Sequence, residues 1–211
     1  MILHRVLNEL LRSRSRVAVL RALLDSATGL TGNQVSRDAD MSPRSAFKAL
    51  NAMEALGVVR RQRGGRDHLF TLNRDHFLVT QAILPVFQTE IEFTESLSAA
   101  IASAVQGKVV SASIFGSVAR REETLHSDLD LCCIVRDKQQ VNLVESAIDS
   151  RAQTLYRRYG VKLSPVIFTV AEFRKKRGLG VVKDILDHGM HITGRDPKSI
   201  LDDETKRQKI R

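Results

Sequence analysis

The chain has 211 residues, 43% of them hydrophobic, which is enough for one ordinary core or two small ones. Its 33 Lys and Arg residues exceed its 24 Asp and Glu residues, so the formal charge is +9 and points to a polyanionic partner such as nucleic acid or nucleotide phosphates. The two cysteines, Cys132 and Cys133, are adjacent, which argues against a disulfide framework. The sequence contains no uninterrupted apolar stretch of about 18 residues, so it predicts no membrane span. It shows no signal-peptide pattern, so it does not predict export. We therefore expect a cytoplasmic protein without a membrane partner.

Three helices are predicted near the beginning of the chain. Apolar residues at helical spacing predict the first over Arg16–Leu24, ending near Gly29. The capping-box pattern "TGNQ" predicts a second helix that ends at about Ala39. Ser42, followed by a proline, predicts the start of a third helix, which runs to Leu56 and ends at the glycine after it.

The third helix is predicted to have one buried face and several polar faces. The residues expected on the buried face are Phe47, Leu50, Met53 and Leu56. The residues expected to be available to a DNA duplex are Arg44, Ser45, Lys48 and Asn51. The third helix is therefore a candidate recognition helix.

A basic hairpin is predicted after the third helix. In "VVRRQRGGRDHLFTL", two short strand-like runs flank a Gly-Gly pair that suits a tight turn. Four arginines lie in this hairpin: Arg60, Arg61, Arg63 and Arg66. Residues 1–75 contain 13 Lys or Arg against 7 Asp or Glu, which gives +6 of the total charge of +9. The basic excess therefore lies mainly in this part of the chain.

Residues from about 14 to 74 resemble a bacterial or archaeal winged helix-turn-helix DNA-binding domain. The segment "TGNQVSRDADMSPRSAFKALNAMEALGVV" corresponds to the helix pair and the basic hairpin to the wing. The resemblance implies that residues 1–75 form a domain that binds double-stranded DNA, with the third helix in the major groove and the wing on phosphates. The alternative is that these arginines form a solvated face and that the domain supports the one that follows.

A helical connector is predicted over residues 76–106, with Pro85 as its strong helix breaker. We expect either two helices meeting at Pro85 or one helix kinked there. Apolar or small residues recur at spacings of three or four: Phe87, Ile91, Thr94, Leu97, Ile101 and Val105. This seam fits packing on the second domain and fits a homodimer equally well, because periodicity does not identify the partner.

The strongest chemical signal is the segment "SIFGSVARREETLHSDLDLCCIV". A buried strand is predicted over residues 108–115, followed by Gly116 and a helical turn from Ser117, a junction at which backbone amides and a small hydroxyl can approach phosphate oxygens. A second strand, Leu129–Val135, is entered through Asp128. Asp128 and Asp130 share one face with Cα atoms about 6.5 to 7 Å apart, near enough to hold one Mg²⁺ together.

The "GSVAR" and "SDLDL" motifs in this context resemble the DNA polymerase β-like nucleotidyltransferases, particularly the minimal nucleotidyltransferase branch. The resemblance covers roughly residues 95–197, including "ILDHGMHITGRDP". It implies that Asp128 and Asp130 are catalytic ligands of Mg²⁺ and that a nucleotidyl group is transferred from a nucleoside triphosphate to an acceptor. The nucleotide-binding residues that it implies are Gly116, Ser117, Arg120 and Ser127.

The expected fold class is α+β, with an N-terminal winged helix domain, the helical connector, and a polymerase β-like nucleotidyltransferase domain at 107–197 that has a mixed sheet with helices. A charged tail is expected over 198–211. The family usually supplies a third carboxylate from a later strand, but here that stretch offers Lys162 and Ser164, and Glu172 is expected to begin a helix. Two functions therefore stay open: an active nucleotidyltransferase, and a transcription regulator whose degenerate transferase domain serves as a sensor or oligomerisation module.

Overall fold

The structure, a computed structural model, describes residues 4–64 and 67–208, the last six of them by their backbone alone. The chain divides into two compact units, Met1–Ile91 and Glu92–Arg211. The division falls within the stretch for which a helical connector is predicted. Within the described residues, no helix combines the length and the apolar character needed to cross a membrane.

The N-terminal unit begins with four helices: α1 (Val6–Leu10), α2 (Arg14–Leu24), α3 (Gly32–Asp38) and α4 (Pro43–Ala55). Helix α2 starts two residues before the prediction because the Ser13 side chain accepts a hydrogen bond from the backbone of Arg16 and so fixes the first turn. It ends at Leu24 rather than near Gly29. The predicted capping box of α3 is confirmed: the Thr31 hydroxyl accepts from the amide of Gln34, whose side chain accepts from the amide of Thr31 at 2.8 Å.

Helix α4 buries a face that differs in part from the predicted one. Ala46, Ala49, Leu50 and Met53 are buried, as a 3.6-residue period requires. The prediction was wrong for Phe47, which is 39% exposed. Its ring lies against the backbone of α3 at Gly32 and meets the Phe70 ring edge to face, with centroids 6.2 Å apart. The two small alanines in the buried face let α4 approach its neighbours closely.

Three antiparallel strands complete the N-terminal unit: β1 (Leu30–Thr31), β2 (Val59–Gly64) and β3 (Asp67–Leu72), in the order β1-β3-β2. The predicted hairpin is therefore present as β2 and β3, while Gly65 and Arg66 of its turn lie outside the described residues. The largest buried side chains of this unit include Leu20, Leu23, Leu50, Met53 and Phe70, and they form one core between the helices and the sheet.

The predicted connector is helical. One π-helical turn, Val79–Ile83, leads into the long helix α5 (Leu84–Val105), so two helical segments meet next to Pro85. Proline has no amide hydrogen to donate to the preceding turn, so the helical hydrogen-bond pattern is interrupted at Pro85, directly after the π-helical turn. The predicted apolar seam is divided: Phe87 belongs to the core of the N-terminal unit, whereas Leu97, Ile101 and Val105 belong to the core of the C-terminal unit, and Ile91 is 61% exposed.

The C-terminal unit is built on a four-stranded sheet with the order β6-β5-β4-β7. Its strands are β4 (Ser111–Phe115), β5 (Leu129–Val135), β6 (Leu163–Thr169) and β7 (Met190–Gly194). Strand β5 runs parallel to β6, and β4 is antiparallel to both β5 and β7. The sheet is therefore mixed, as predicted. Strand β4 begins three residues later than predicted because residues 106–108 form the turn that ends α5.

Helices cover both faces of this sheet: α6 (Gly116–Arg120), α7 (Gln139–Tyr159), α8 (Val170–Lys175), α9 (Gly180–His188) and α10 (Pro197–Gln208). Apart from Asp130, strand β5 is apolar because its alternate side chains enter two cores. Cys133 lies in the core shared with α5 and α7, and Cys132 lies in the core shared with α8 and α9. Burial raises the pKa of both thiols, that of Cys133 to about 12, so both stay protonated at neutral pH.

Candidate nucleotide site and candidate nucleic-acid interface

The centre of the candidate nucleotide site is the junction at which β4 becomes α6. Phe115, the last residue of β4, pairs with Asp130 across the antiparallel strands, and Gly116 follows with a φ of +73°. A side chain at residue 116 would be strained by this φ, and its Cβ would overlap the carboxylate of Asp130. The absence of a side chain at Gly116 therefore lets a carboxylate lie directly against the backbone of the strand-to-helix junction.

Asp184 of α9 forms hydrogen bonds with two residues of this junction. Its Oδ2 accepts a hydrogen bond from the amide of Gly116 at 3.0 Å, and its Oδ1 accepts one from Nη1 of Arg120 at 2.6 Å. Nε of Arg120 donates to Glu122 at 2.9 Å. The sequence reasoning did not find Asp184, because it lies 68 residues after Gly116 and no short motif links the two.

The charge state of this cluster follows from its hydrogen bonds. Burial acts to raise the pKa of Asp184, but the hydrogen bonds from Arg120 and Gly116 outweigh it, so the pKa of Asp184 lies below its usual value. Glu122 and then Asp184 raise the pKa of Arg120 through their hydrogen bonds. Asp184 and Arg120 are therefore both charged at neutral pH.

The two candidate metal ligands differ in their surroundings. Asp128 directly precedes β5, and its Oδ2 lies 3.7 Å from Nζ of Lys162, with side chains that are 46% and 76% exposed. An ion pair this exposed contributes little, so the lysine does not hold Asp128 firmly. Asp130 is half-buried, and its carboxylate has no hydrogen bond or ion pair with any described residue of the chain. Asp130 is thus available to a ligand.

The neighbouring strand does not add a carboxylate. In the parallel register of β5 and β6, Asp130 pairs with Ser164, and Lys162 stands at the entrance to β6. Within residues 4–64 and 67–208, no group of three or more His, Cys, Asp or Glu residues is arranged to hold a metal ion. Helix α8 begins at Val170, two residues before the predicted start at Glu172; Glu172 lies in its first turn, where its hydrogen bonds with Thr169 lower its pKa and form a capping box.

The remaining predicted nucleotide-binding residues lie on either side of the aspartates. Ser117 is half-buried in the first turn of α6. Ser127 is exposed, and its Oγ accepts a hydrogen bond from the amide of Thr124 at 3.0 Å within the turn before β5. The structure thus brings Gly116 and Asp130 into direct contact and ties Arg120 to Gly116 through Asp184.

The predicted DNA-binding residues of the N-terminal unit fall into two groups. Arg44, Lys48 and Arg63 are exposed, and Ser45 is half-buried, with its backbone amide held by the cap residue Ser42. Asn51, Arg60 and Arg61 are engaged in contacts within the unit.

Arg61 forms an ion pair with Glu54 at 2.7 Å, donates a hydrogen bond to Asn51, and lies 5.0 Å from the centre of the Phe70 ring. Arg60 forms an exposed ion pair with Asp75 at 2.8 Å. Arg66 lies outside the described residues. The side chain of Arg61 therefore stabilises the packing of the hairpin on α4, while Arg44, Lys48 and Arg63 are exposed to solvent.

Comparisons with known proteins find similarity to a nucleotidyltransferase domain in the C-terminal half. Residues 96–190 match the family model of the nucleotidyltransferase domain. This segment contains the Gly116 junction, both aspartates and Asp184, so these residues lie in the part of the chain that is similar to a nucleotidyltransferase domain. No curated protein matches the sequence.

Three solved structures show low similarity. A toxin–antitoxin structure with AMP-PNP has 15% identity over 53% of this chain and 86% of that chain, with a TM-score of 0.34. A mutant of the toxin–antitoxin MntA-HpeT has 13% identity over 52% and 82%, with a TM-score of 0.32. TrmBL2, an archaeal chromatin protein, has 13% identity over 82% and 68%, with a TM-score of 0.25. At such TM-scores these likenesses carry no argument about this chain.

Replacing Gly116 by alanine tests the central contact of the site. We expect Gly116→Ala to lower the free energy of unfolding of the C-terminal unit by about 1 to 2 kcal/mol, because alanine is strained at this φ, and to displace the Asp130 carboxylate that its Cβ would overlap. Both tyrosines of the chain, Tyr156 and Tyr159, lie in α7, so tyrosine fluorescence during denaturation follows this unit. Gly178→Ala is the matched control, since no atom lies within 4 Å of a Cβ built there. Equal stability of the two variants would contradict the described junction.

Proposed function

We propose that the nucleotidyltransferase-like domain binds a nucleoside triphosphate together with Mg²⁺ at the Gly116 junction. The observation that carries the proposal is the contact between the bare backbone of Gly116 and the half-buried carboxylate of Asp130. This contact places an amide and a metal-binding group side by side. A phosphate and its cation need this combination of donor and ligand.

The residues present suit a single Mg²⁺ that is shared with a nucleotide. Asp128 and Asp130 offer hard oxygen ligands, and Mg²⁺ is typically held by one or two carboxylates with phosphate oxygens and water completing its octahedron. A Cβ at residue 116 would overlap Asp130, so the carboxylate lies directly against the Gly116 backbone, which supports a cation held beside that backbone. A cation held by Asp128 and Asp130 would supply electrostatic stabilisation to the α-phosphate and to the pyrophosphate leaving group.

Each residue of the site has a distinct role in this proposal. The amide of Gly116 and the hydroxyl of Ser117 donate hydrogen bonds to the triphosphate, and the guanidinium of Arg120 pairs with its oxygens. Ser127 lies in the exposed turn before β5, where its hydroxyl, which accepts from the amide of Thr124, is a further candidate for nucleotide binding. Asp128 and Asp130 hold the cation, and they are the catalytic residues if the nucleotidyl group is transferred.

The first candidate function is transfer of the nucleotidyl group to an acceptor, and the match of residues 96–190 to a nucleotidyltransferase domain favours it. The second candidate is a transcription regulator in which the same domain binds nucleotide as a sensor. The pairing of Asp130 with Ser164, and the position of Lys162 beside Asp128, favour the second, because a two-metal site needs further carboxylate ligands.

We further propose that the N-terminal unit is a winged helix domain that binds double-stranded DNA. The exposed cations of α4 and β2, Arg44, Lys48 and Arg63, support this proposal, as does the +6 charge of residues 1–75. Helix α4 is then the recognition helix. Arg61 supports it from the hairpin through its contacts with Asn51 and Glu54.

Nucleotide binding is tested by thermal stability, since a ligand that binds only the folded state raises its stability by about 2.7 kcal/mol at a hundredfold excess over Kd. We expect Mg²⁺ with a nucleoside triphosphate to raise the melting temperature of the C-terminal unit more than either does alone. The combined variant Asp128→Asn with Asp130→Asn removes this synergy because the cation loses its ligands. If the melting temperature of the wild-type protein shows no such synergy at low salt with any of the four ribonucleoside triphosphates, nucleotide binding is refuted.

Labelling distinguishes the two candidate functions. For a transferase, incubation of the chain with α-phosphate-labelled nucleoside triphosphates, Mg²⁺ and cell lysate labels an acceptor, and Asp130→Asn abolishes the label. Asp149→Asn, an exposed change of equal charge on α7, leaves the labelling intact. A melting shift by Mg²⁺ and nucleotide without any labelling would instead assign the regulator.

DNA binding is tested by its dependence on salt. We expect Arg63→Ala and Lys48→Ala each to weaken duplex binding and to lower the slope of log K against log salt by about 1, because each removes one phosphate contact. Lys108→Ala, an exposed lysine of the C-terminal unit, should leave both quantities unchanged. An absence of duplex affinity at low salt, measured by fluorescence anisotropy, would leave the N-terminal unit with a supporting role only.

A further inference from the structure

We propose that Asp184 is an internal anion that occupies the phosphate-binding donors of the nucleotide site and thereby sets its affinity for triphosphate. This inference rests on the proposed binding of a nucleoside triphosphate at the Gly116 junction. It adds a residue from α9 that neither the "GSVAR" nor the "SDLDL" motif contains.

The geometry of Asp184 is that of a carboxylate in the place of a phosphate. Its two oxygens accept from two different donors, the amide of Gly116 at 3.0 Å and Nη1 of Arg120 at 2.6 Å. These are the backbone donor and the cation that the proposed function assigns to the triphosphate. A phosphate oxygen cannot accept a full hydrogen bond from Gly116 while Oδ2 of Asp184 holds it.

The charge of Asp184 adds to this competition. A triphosphate that approaches Gly116 meets a carboxylate that is ionised at neutral pH, as well as the carboxylate of Asp130 on the other side of the glycine. Mg²⁺ compensates the charge of Asp130, whereas the charge of Asp184 is compensated chiefly by Arg120, with a smaller contribution from His188. Triphosphate binding therefore requires the Asp184 side chain to leave Gly116 and to release Arg120.

A purely structural role for Asp184 makes the opposite prediction. If Asp184 serves to position the Gly116 turn and Arg120 for the nucleotide, then weakening its contacts weakens triphosphate binding. Asp184→Asn separates the two roles because asparagine keeps the size and one carbonyl acceptor but loses the negative charge. The matched control is Asp187→Asn, which makes the same charge change three residues further along α9, at an exposed side chain.

The test is isothermal titration of the full-length chain and its two variants with inorganic triphosphate in the presence of Mg²⁺, which probes the part common to every nucleoside triphosphate. We expect Asp184→Asn to bind triphosphate about fivefold more tightly or better, because a charged hydrogen-bonding competitor has been removed. Asp187→Asn should stay within about twofold of wild type, as expected for a solvent-screened charge. Tyrosine fluorescence establishes that each variant is folded.

The outcomes separate this inference from the proposed function. If wild type binds triphosphate and Asp184→Asn binds it equally or less tightly, the competitor role is refuted while nucleotide binding stands. If no variant binds triphosphate, both proposals fail together. If Asp184→Asn does not fold, the competitor role is tested in the wild-type protein by the NMR resonance of the Gly116 amide. We expect this resonance to shift when Mg²⁺ and triphosphate are added, because the acceptor of the amide changes. An unshifted resonance would overturn the inference.

Discussion

The backbone of residue 116 and the carboxylate of Asp130 occupy adjoining space, and only glycine permits this arrangement. The antiparallel pairing of Phe115 with Asp130 fixes the distance, and the positive φ of Gly116 turns the chain from β4 into α6 at that point. The other groups of the candidate site are arranged around this junction. Asp128 precedes Asp130 on the same chain, Arg120 follows on α6, and Asp184 reaches the Gly116 amide from α9.

The hydrogen bonds that stabilise the folded site use the same groups, the Gly116 amide and Arg120, that the proposed function assigns to the triphosphate. A buried amide needs an acceptor, and Asp184 supplies one in the chain itself. The same hydrogen bond keeps that amide from a phosphate. Arg120 is likewise neutralised by Asp184 and Glu122. The Gly116 amide and the Arg120 guanidinium are therefore satisfied within the chain, and a bound triphosphate would replace these contacts.

Local patterns were enough to predict much of the fold. The caps at Thr31 and Ser42, the hairpin, and β5 were found because each depends on a few neighbouring residues. The exposure of Phe47 and the division of the α5 seam were not predictable, since helical periodicity gives a face but not its partner. Asp184 was missed for the same reason: only the packing of α9 beside α6 brings it to Gly116.

Binding of a nucleoside triphosphate at the Gly116 junction is the central claim, and a crystal structure of the full chain with Mg²⁺ and a non-hydrolysable triphosphate tests it most directly. The account predicts a phosphate oxygen within hydrogen-bonding distance of the Gly116 amide and the cation ligated by Asp128 and Asp130. It also predicts that the Asp184 carboxylate no longer accepts from Gly116. A triphosphate bound away from this junction, with Asp184 still on the Gly116 amide, would contradict the account.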